Sequence, residues 1–191
     1  MLEYLKQIDV KILLLINSAH TPFLDKCMLV VTHRDTWVPL YLFVILFLFI
    51  KRKKEFFLVL LFIIVTVISA DLFASSLIKP LFHRLRPCHN SDINGMLYLL
   101  KDMCGGRYGF ISSHAANTFA FAAFLFLYIG KEYKWIEVLF IWASIVSLSR
   151  VYLGVHYPSD IAVGAVSGVL IAALFYYFYT VVRKRIFGIK N

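Results

Sequence analysis

The sequence predicts an all-α membrane protein, a bundle of five or six transmembrane helices with interfacial N-terminal helices, on three observations. Of its 191 residues, 61% are hydrophobic and 16% charged, against roughly a quarter charged in an ordinary soluble domain. Mean hydropathy is +0.78, so apolar residues outnumber what one compact core could hide from water. Apolar runs recur near the ~20-residue length a spanning helix needs, and Phe56 to Ile68, apolar apart from one Thr, lacks the alternation of a membrane-barrel strand. A single domain covering 1–191 is expected at this length.

Within residues 1–36, the run Ile12 to Ile16 is too short to cross a bilayer, and Lys6, Asp9, Lys11, Asp25 and Lys26 interrupt the pattern. Interfacial amphipathic helices are expected there. The alternative is a sixth crossing carrying His33-Arg34-Asp35, at roughly 2.5 to 3.5 kcal/mol per charge near the midplane. The start lacks the ordered basic, apolar and small-residue segments of a removable signal peptide. Five spans follow: a short one from Trp37 to Ile50, then Glu55 to Ile78, Ser112 to Gly130, Tyr133 to Ser149 and Ile161 to Val182. Trp37, Tyr133, Trp135, Tyr176 and Tyr177 near span ends fit interfacial anchoring. Gly164 and Gly168 read as a close helix-packing pair.

The net charge is +9, which in a soluble protein would raise the question of nucleic acid; here it speaks first to topology. Lys51 to Lys54, Lys131, Lys134, Arg183 to Arg185 and Lys190 supply ten cations between the spans on one side, expected to be cytoplasmic. Lys79, Arg84, Arg86, Lys101, Arg107 and Arg150 are the six on the other. Cys88 and Cys104 share one connection on that second side, sixteen positions apart. In an oxidising compartment they can form a disulfide, worth about 3 kcal/mol for a loop of that size. Cys27 is then the odd thiol.

The residues that bind phosphate concentrate in the two connections of the less basic side. Lys79, His83 and Arg86 fall at i, i+4 and i+7, one face if the segment is helical. Ser112-Ser113-His114 opens a span, where unsatisfied helix N–H groups favour an oxyanion. Arg150, His156 and Asp160 follow the fourth span, and a His with a carboxylate in reach is an oriented base or nucleophile. His83, Arg84 and His89 either touch the substrate head group or, as is commoner for residues of a polar loop, are solvated. Asp71, inside the second span, is either functional or a structural partner for a Ser, Thr or loop cation.

In order and spacing these three segments resemble the type 2 phosphatidic acid phosphatase superfamily, which includes bacterial lipid phosphatases and vanadium haloperoxidases. Lys79, Arg86 and Pro87 match its first element, Lys, six residues, Arg-Pro. Ser149, Arg150, His156 and Asp160 match its third, Ser-Arg, five residues, His, three residues, Asp. The middle element, Pro-Ser-Gly-His in the family, is Ile111-Ser112-Ser113-His114 here and loses the Pro and the Gly. The resemblance, direct over 79–160, implies a phosphate cage of Lys79, Arg86, Ser112, Ser113 and Arg150. It implies His156 as nucleophile, Asp160 as its orienting partner and His114 as general acid, with no metal and no cofactor. The six histidines include no cluster with zinc spacing.

The function so implied is a metal-independent membrane lipid phosphatase working through a phosphohistidine, its active site on the periplasmic face of the inner membrane. Phosphatidic acid, phosphatidylglycerophosphate, undecaprenyl diphosphate and lipid A are the substrates that the resemblance allows. The last two are favoured because their phosphates can be presented on that face. A lipid phosphotransferase using the same His, or a non-catalytic lipid-binding or transport protein, are the alternatives. The partners expected are the lipid substrate and the bilayer, not nucleic acid.

Overall fold

The computed structural model describes residues 2–100 and 103–188, and among these the regular structure is helical. Lys101 and Lys190, counted in the charge comparison above, lie outside the described residues. The helices are α1 (Leu2–Asn17), α2 (Pro22–Thr32), α3 (Val38–Lys51), α4 (Phe56–Leu72), a short α5 (Lys79–Phe82), α6 (Ser113–Ile129), α7 (Val138–Tyr152) and α8 (Pro158–Phe187).

The expected five spans resolve unevenly. Three continuous helical stretches are long and apolar enough to cross a membrane: Phe56–Phe82, Lys134–Tyr152 and Pro158–Phe187. Helix α6, at 17 residues, is apolar but shorter. The predicted first span is only the second half of a pair: α2 and the stretch Arg34–Lys51 meet at a 70° bend and reach spanning length together. The bend holds the His33-Arg34-Asp35 cluster, whose side chains are exposed, so these charges stand at a break in the helix rather than within one.

Local chemistry explains where the helices begin. Pro22 occupies the first turn of α2, where its missing N–H is no loss, and Thr21 caps the same end by accepting from the Leu24 amide at 3.2 Å. Ser112 caps α6, its hydroxyl facing the Ala115 amide at 3.5 Å. In the Phe56–Phe82 stretch the backbone loosens into a π-helical turn over Phe73–Ile78. Pro80 follows two residues later. Its ring crowds the carbonyl four residues back and it offers no amide to bond there.

The core lies between α3, α4, α6, α7 and α8, where Leu48, Val59, Phe121, Phe124, Trp142 and Tyr179 are buried. Its closest contact is α6 against α8. A Cβ on Gly164 would lie 2.7 Å from the Ser112 carbonyl oxygen, and one on Gly168 would collide with that of Ala116, so the Gly-x-x-x-Gly pair is a packing seam. Large apolar side chains such as Leu46, Phe57, Leu61, Ile141, Val166 and Leu170 face outward, a surface suited to lipid.

The N-terminal helices pack closely against the body. Asp9, Leu13, Asn17, Asp25 and Thr32 are buried. Asn17 donates to the Tyr98 and Tyr152 carbonyls and accepts from the Tyr98 amide, and the Asp25 carboxylate accepts from both tyrosine hydroxyls. The loop after α5 is thereby tied to α1, α2 and α7. It is also closed by the Cys88–Cys104 disulfide, with the two Cα atoms 6.0 Å apart. At the opposite end of the bundle Glu55 accepts from Arg183, Tyr179 and Tyr128. Burial pushes the Glu55 carboxyl up, but these donors outweigh it and hold it below its ordinary range.

Candidate active site

The three sequence segments meet at the end of the bundle away from Glu55. Lys79 leaves the π turn and donates from Nζ to the Ser113 hydroxyl at 2.6 Å. Ser113 stands in the first turn of α6, beside His114, where amides have no partner within the helix. The hydroxyl replaces the family's glycine and is used: it fixes the lysine ammonium over the helix N-terminus.

The i, i+4, i+7 face expected for Lys79, His83 and Arg86 is not formed. Helix α5 stops at Phe82, and His83 takes a left-handed conformation with φ of 49°. Arg86 therefore reaches the site from an extended segment, held by an isolated antiparallel bridge between Leu85 and Tyr108 and by its own amide donating to the Arg107 carbonyl at 3.0 Å. Gly109 lets it approach: a Cβ there would lie 3.1 Å from Arg86 Cγ and 3.2 Å from Asp160 Oδ2.

The Arg86 guanidinium has Nε and Nη1 buried without a hydrogen-bond partner. Arg150, buried at the end of α7, donates from Nη1 to Thr32 at 2.6 Å but leaves Nε unpartnered. Buried donors of this kind are rare, because each forfeits its bonds to water. Three of them on two arginines, next to a lysine and a helix N-terminus, form a cluster of free donors suited to an anion.

His156 is buried just before α8, with Nδ1 3.3 Å from Asp160 Oδ2. Burial, reinforced by the charges of Arg86, Arg150 and Lys79, holds its imidazole well below the ordinary histidine range, so the ring is neutral near pH 7. Asp160 Oδ2 also accepts from the Tyr157 amide at 3.0 Å. The Ser112 amide donates to the Asp160 carbonyl at 3.0 Å, which ties the starts of α6 and α8 together. The Ser112 amide is so committed, and its hydroxyl caps α6 as an acceptor, which leaves the O–H free to donate toward the cage.

Two further expectations are corrected. Arg84 is not a solvated loop residue: it donates to Asp160 Oδ1 at 2.8 Å and to Asp9 Oδ2 at 2.6 Å, and its guanidinium lies 4.0 Å from the centre of the Tyr157 ring. His83 and His89 are exposed, as expected of loop residues, one edge-on to Tyr108 and the other 3.1 Å from the Gly105 carbonyl. Asp71 finds an amide rather than a hydroxyl or a cation, accepting from Asn117 at 2.9 Å. Nothing local in the sequence marks the Arg84 contacts, since both partners lie about 75 positions away.

Lys79 and Arg86 line an open cavity of about 400 Å³ with Ser75, His83, Arg107 and Tyr108. Ser113 and His114 line a second, of about 260 Å³, with Thr32, Arg34, Trp37, Tyr41, Asp71 and Asn117. The Lys79–Ser113 hydrogen bond joins the walls of the two. Tyr41 and Asn117 continue into an apolar groove of about 390 Å³ between α3 and α4.

Comparison with known proteins gives concordant results. The model of the PAP2 superfamily matches residues 60–184. The lipid A 4'-phosphatase of Bacteroides thetaiotaomicron is 37% identical over 181 residues, 93% of this chain and 79% of that protein. The lipid A 4'-phosphatase of Porphyromonas gingivalis is 31% identical over 191 residues, 98% of this chain and 79% of its own. Among solved structures, the transmembrane PAP2 type phosphatidylglycerolphosphate phosphatase of Bacillus subtilis superposes with a TM-score of 0.69 at 20% identity, covering 98% of this chain and 90% of that one. That last likeness is one of fold.

Proposed function

The chain belongs to the PAP2 superfamily and is a membrane lipid phosphatase; from that premise we propose that it hydrolyses the phosphate monoester of a lipid A-type saccharide lipid through a phosphohistidine. The observation that carries the chemistry is the set of buried, unpartnered guanidinium N–H groups on Arg86 and Arg150 beside a neutral His156. Phosphate monoester hydrolysis needs enhancements of up to ~10²¹. A general acid contributes ~10² to 10⁴, so fixed cations must carry much of the rest.

The site residues divide that work. Lys79, Arg86, Ser112, Ser113, Arg150 and the first-turn amides of α6 hold the non-bridging oxygens. With Nδ1 turned to Asp160, His156 attacks phosphorus through Nε2. The P–N bond forms as the bond to the lipid oxygen breaks, and His114 protonates that oxygen. His114 then takes a proton from water, whose oxygen displaces Nε2 and releases phosphate. Asp160 holds the tautomer and balances the imidazolium.

The substrate reading rests on the named relatives and on the cavity beside His114. The leaving group must lie on the side of its acid, and there Trp37 and Tyr41 offer aromatic walls while Asp71, Asn117 and Thr32 offer polar groups. Asn117 Oδ1 is buried with no partner. This is a lining for a hydroxyl-bearing ring, and the adjoining groove suits an acyl chain. The cation-rich Lys51–Lys54 end is read as cytoplasmic and the disulfide-bearing end as facing the oxidising periplasm.

Phosphate release should be assayed in detergent against lipid A, undecaprenyl diphosphate, phosphatidylglycerophosphate and phosphatidic acid. Lipid A should be preferred, and His156→Ala should release none and form no acid-labile phosphoenzyme. Preference for another lipid overturns the substrate; normal turnover by His156→Ala overturns the mechanism.

A further inference from the structure

Arg84 lies outside the family's motif positions, yet its side chain donates to the carboxylate behind His156. Its two terminal nitrogens are divided. Nη1 donates to Asp160 Oδ1 at 2.8 Å and to the Ser159 hydroxyl at 2.7 Å, while Nη2 donates to Asp9 Oδ2 at 2.6 Å. Asp9 comes from α1, 75 positions earlier, and its carboxylate accepts three hydrogen bonds. Oδ1 accepts from the Ser159 amide at 2.8 Å, at the N-terminus of α8, and Oδ2 also accepts from the Ser159 hydroxyl. Asp160 is fully buried, Asp9 is 7% exposed, and the Arg84 side chain 29%.

From this geometry we infer that Asp9 is a positioning residue for catalysis: by holding Arg84 it fixes the Asp160 carboxylate so that Oδ2 faces His156. The guanidinium is a rigid fork, and with one prong on Asp9 it presents only the other to Asp160 Oδ1. Asp160 thus cannot rotate to give both oxygens to Arg84, and the oxygen 3.3 Å from His156 Nδ1 stays in place. The second negative charge matters as well. Arg84 donates to the buried Asp160 carboxylate, and Asp9 offsets the charge of Arg84, so Asp160 stays available to balance the imidazolium. The inference rests on the assignment of His156 and Asp160 as nucleophile and partner.

Asp9→Asn keeps the size and an acceptor for the Ser159 amide but removes the charge. It should lower kcat and the rate of phosphoenzyme formation about tenfold, as loss of a partner behind a functional histidine commonly does, with KM within twofold because the cage is untouched. Asp9→Glu should recover part of the loss, which replacement of a mere packing contact would not produce. Arg84→Lys, a point charge that cannot span two carboxylates, should lose as much. Asp9→Asn/Arg84→Lys should lose no more than either alone, because both act through one linkage. Unchanged kcat in Asp9→Asn, a rise in KM alone, or multiplicative losses in the double variant overturns the inference; where Asp9→Asn fails to fold, kcat and KM of Arg84→Lys decide it. His156→Ala is the control: if it keeps turnover, the reading of the nucleophile fails, whereas an inert His156→Ala beside a fully active Asp9→Asn sinks only the role of Asp9.

Discussion

Replacing Arg86 with Gln should separate an anion site from a structural cation. Arg86 leaves Nε and Nη1 buried and unpartnered, two donors free for phosphoryl oxygens. Hydrogen bonds to charged groups contribute about 1.5 to 3 kcal/mol each, so the loss of two removes roughly 3 to 6 kcal/mol, or about 10² to 10⁴ in kcat/KM at 1.36 kcal/mol per decade. Arg86→Lys keeps the charge but not the fork, and should fall between. Without phosphate the sign inverts. Burial disfavours the guanidinium and lowers its pKa despite the nearby Asp160, so the ligand-free Gln variant should melt no lower than the parent. The assays are phosphate release from lipid substrate in detergent and thermal unfolding with and without inorganic phosphate. A kcat/KM within threefold of the parent would refute the cage, as would a large fall in ligand-free melting temperature accompanying normal activity.

Three other outcomes are expected. Gly168→Val should destabilise the fold by at least the ~1 to 3 kcal/mol of ordinary overpacking, because the new side chain meets the Ala116 backbone; unchanged unfolding in detergent would contradict the seam between α6 and α8. Cys88→Ser/Cys104→Ser opens a loop of separation 16 and should cost about 3 kcal/mol by chain entropy, with the loss mirrored in the parent under reductant. In ¹⁵N-histidine NMR of the ligand-free protein, His156 should stay neutral down through pH 6.5, the usual imidazole midpoint being about 6.5. Because the Arg86 charge helps depress it, Arg86→Gln should move its midpoint upward; a parent midpoint at or above 6.5 would contradict the reading.

The motif segments were legible because their information is local: Arg150, His156 and Asp160 are spaced along ten or so positions, and the structure turns His156 to Asp160. The fixed helical period misled at Arg86. The left-handed His83 ends the helix first, so a face drawn through position 86 does not exist. The spans were legible as apolar runs, but the 70° bend between α2 and α3 was not, since an angle between helices leaves no periodic trace. Arg84 shows the same limit more sharply. As a residue in a polar loop it resembles any solvated arginine, and only the fold brings Asp9 and Asp160 to either side of it.

The seam between α6 and α8 has a consequence for how the protein meets its surroundings. His114 rides on the first turn of one helix and Asp160 on that of the other, and the two starts are joined by the Ser112–Asp160 backbone bond. The glycines directly below leave no side chain between them. The pair works like a calliper locked at its jaws: strain from a bilayer that thickens, thins or tilts falls on the more loosely joined helices α3 and α4, while the spacing of His114 and Asp160 stays fixed.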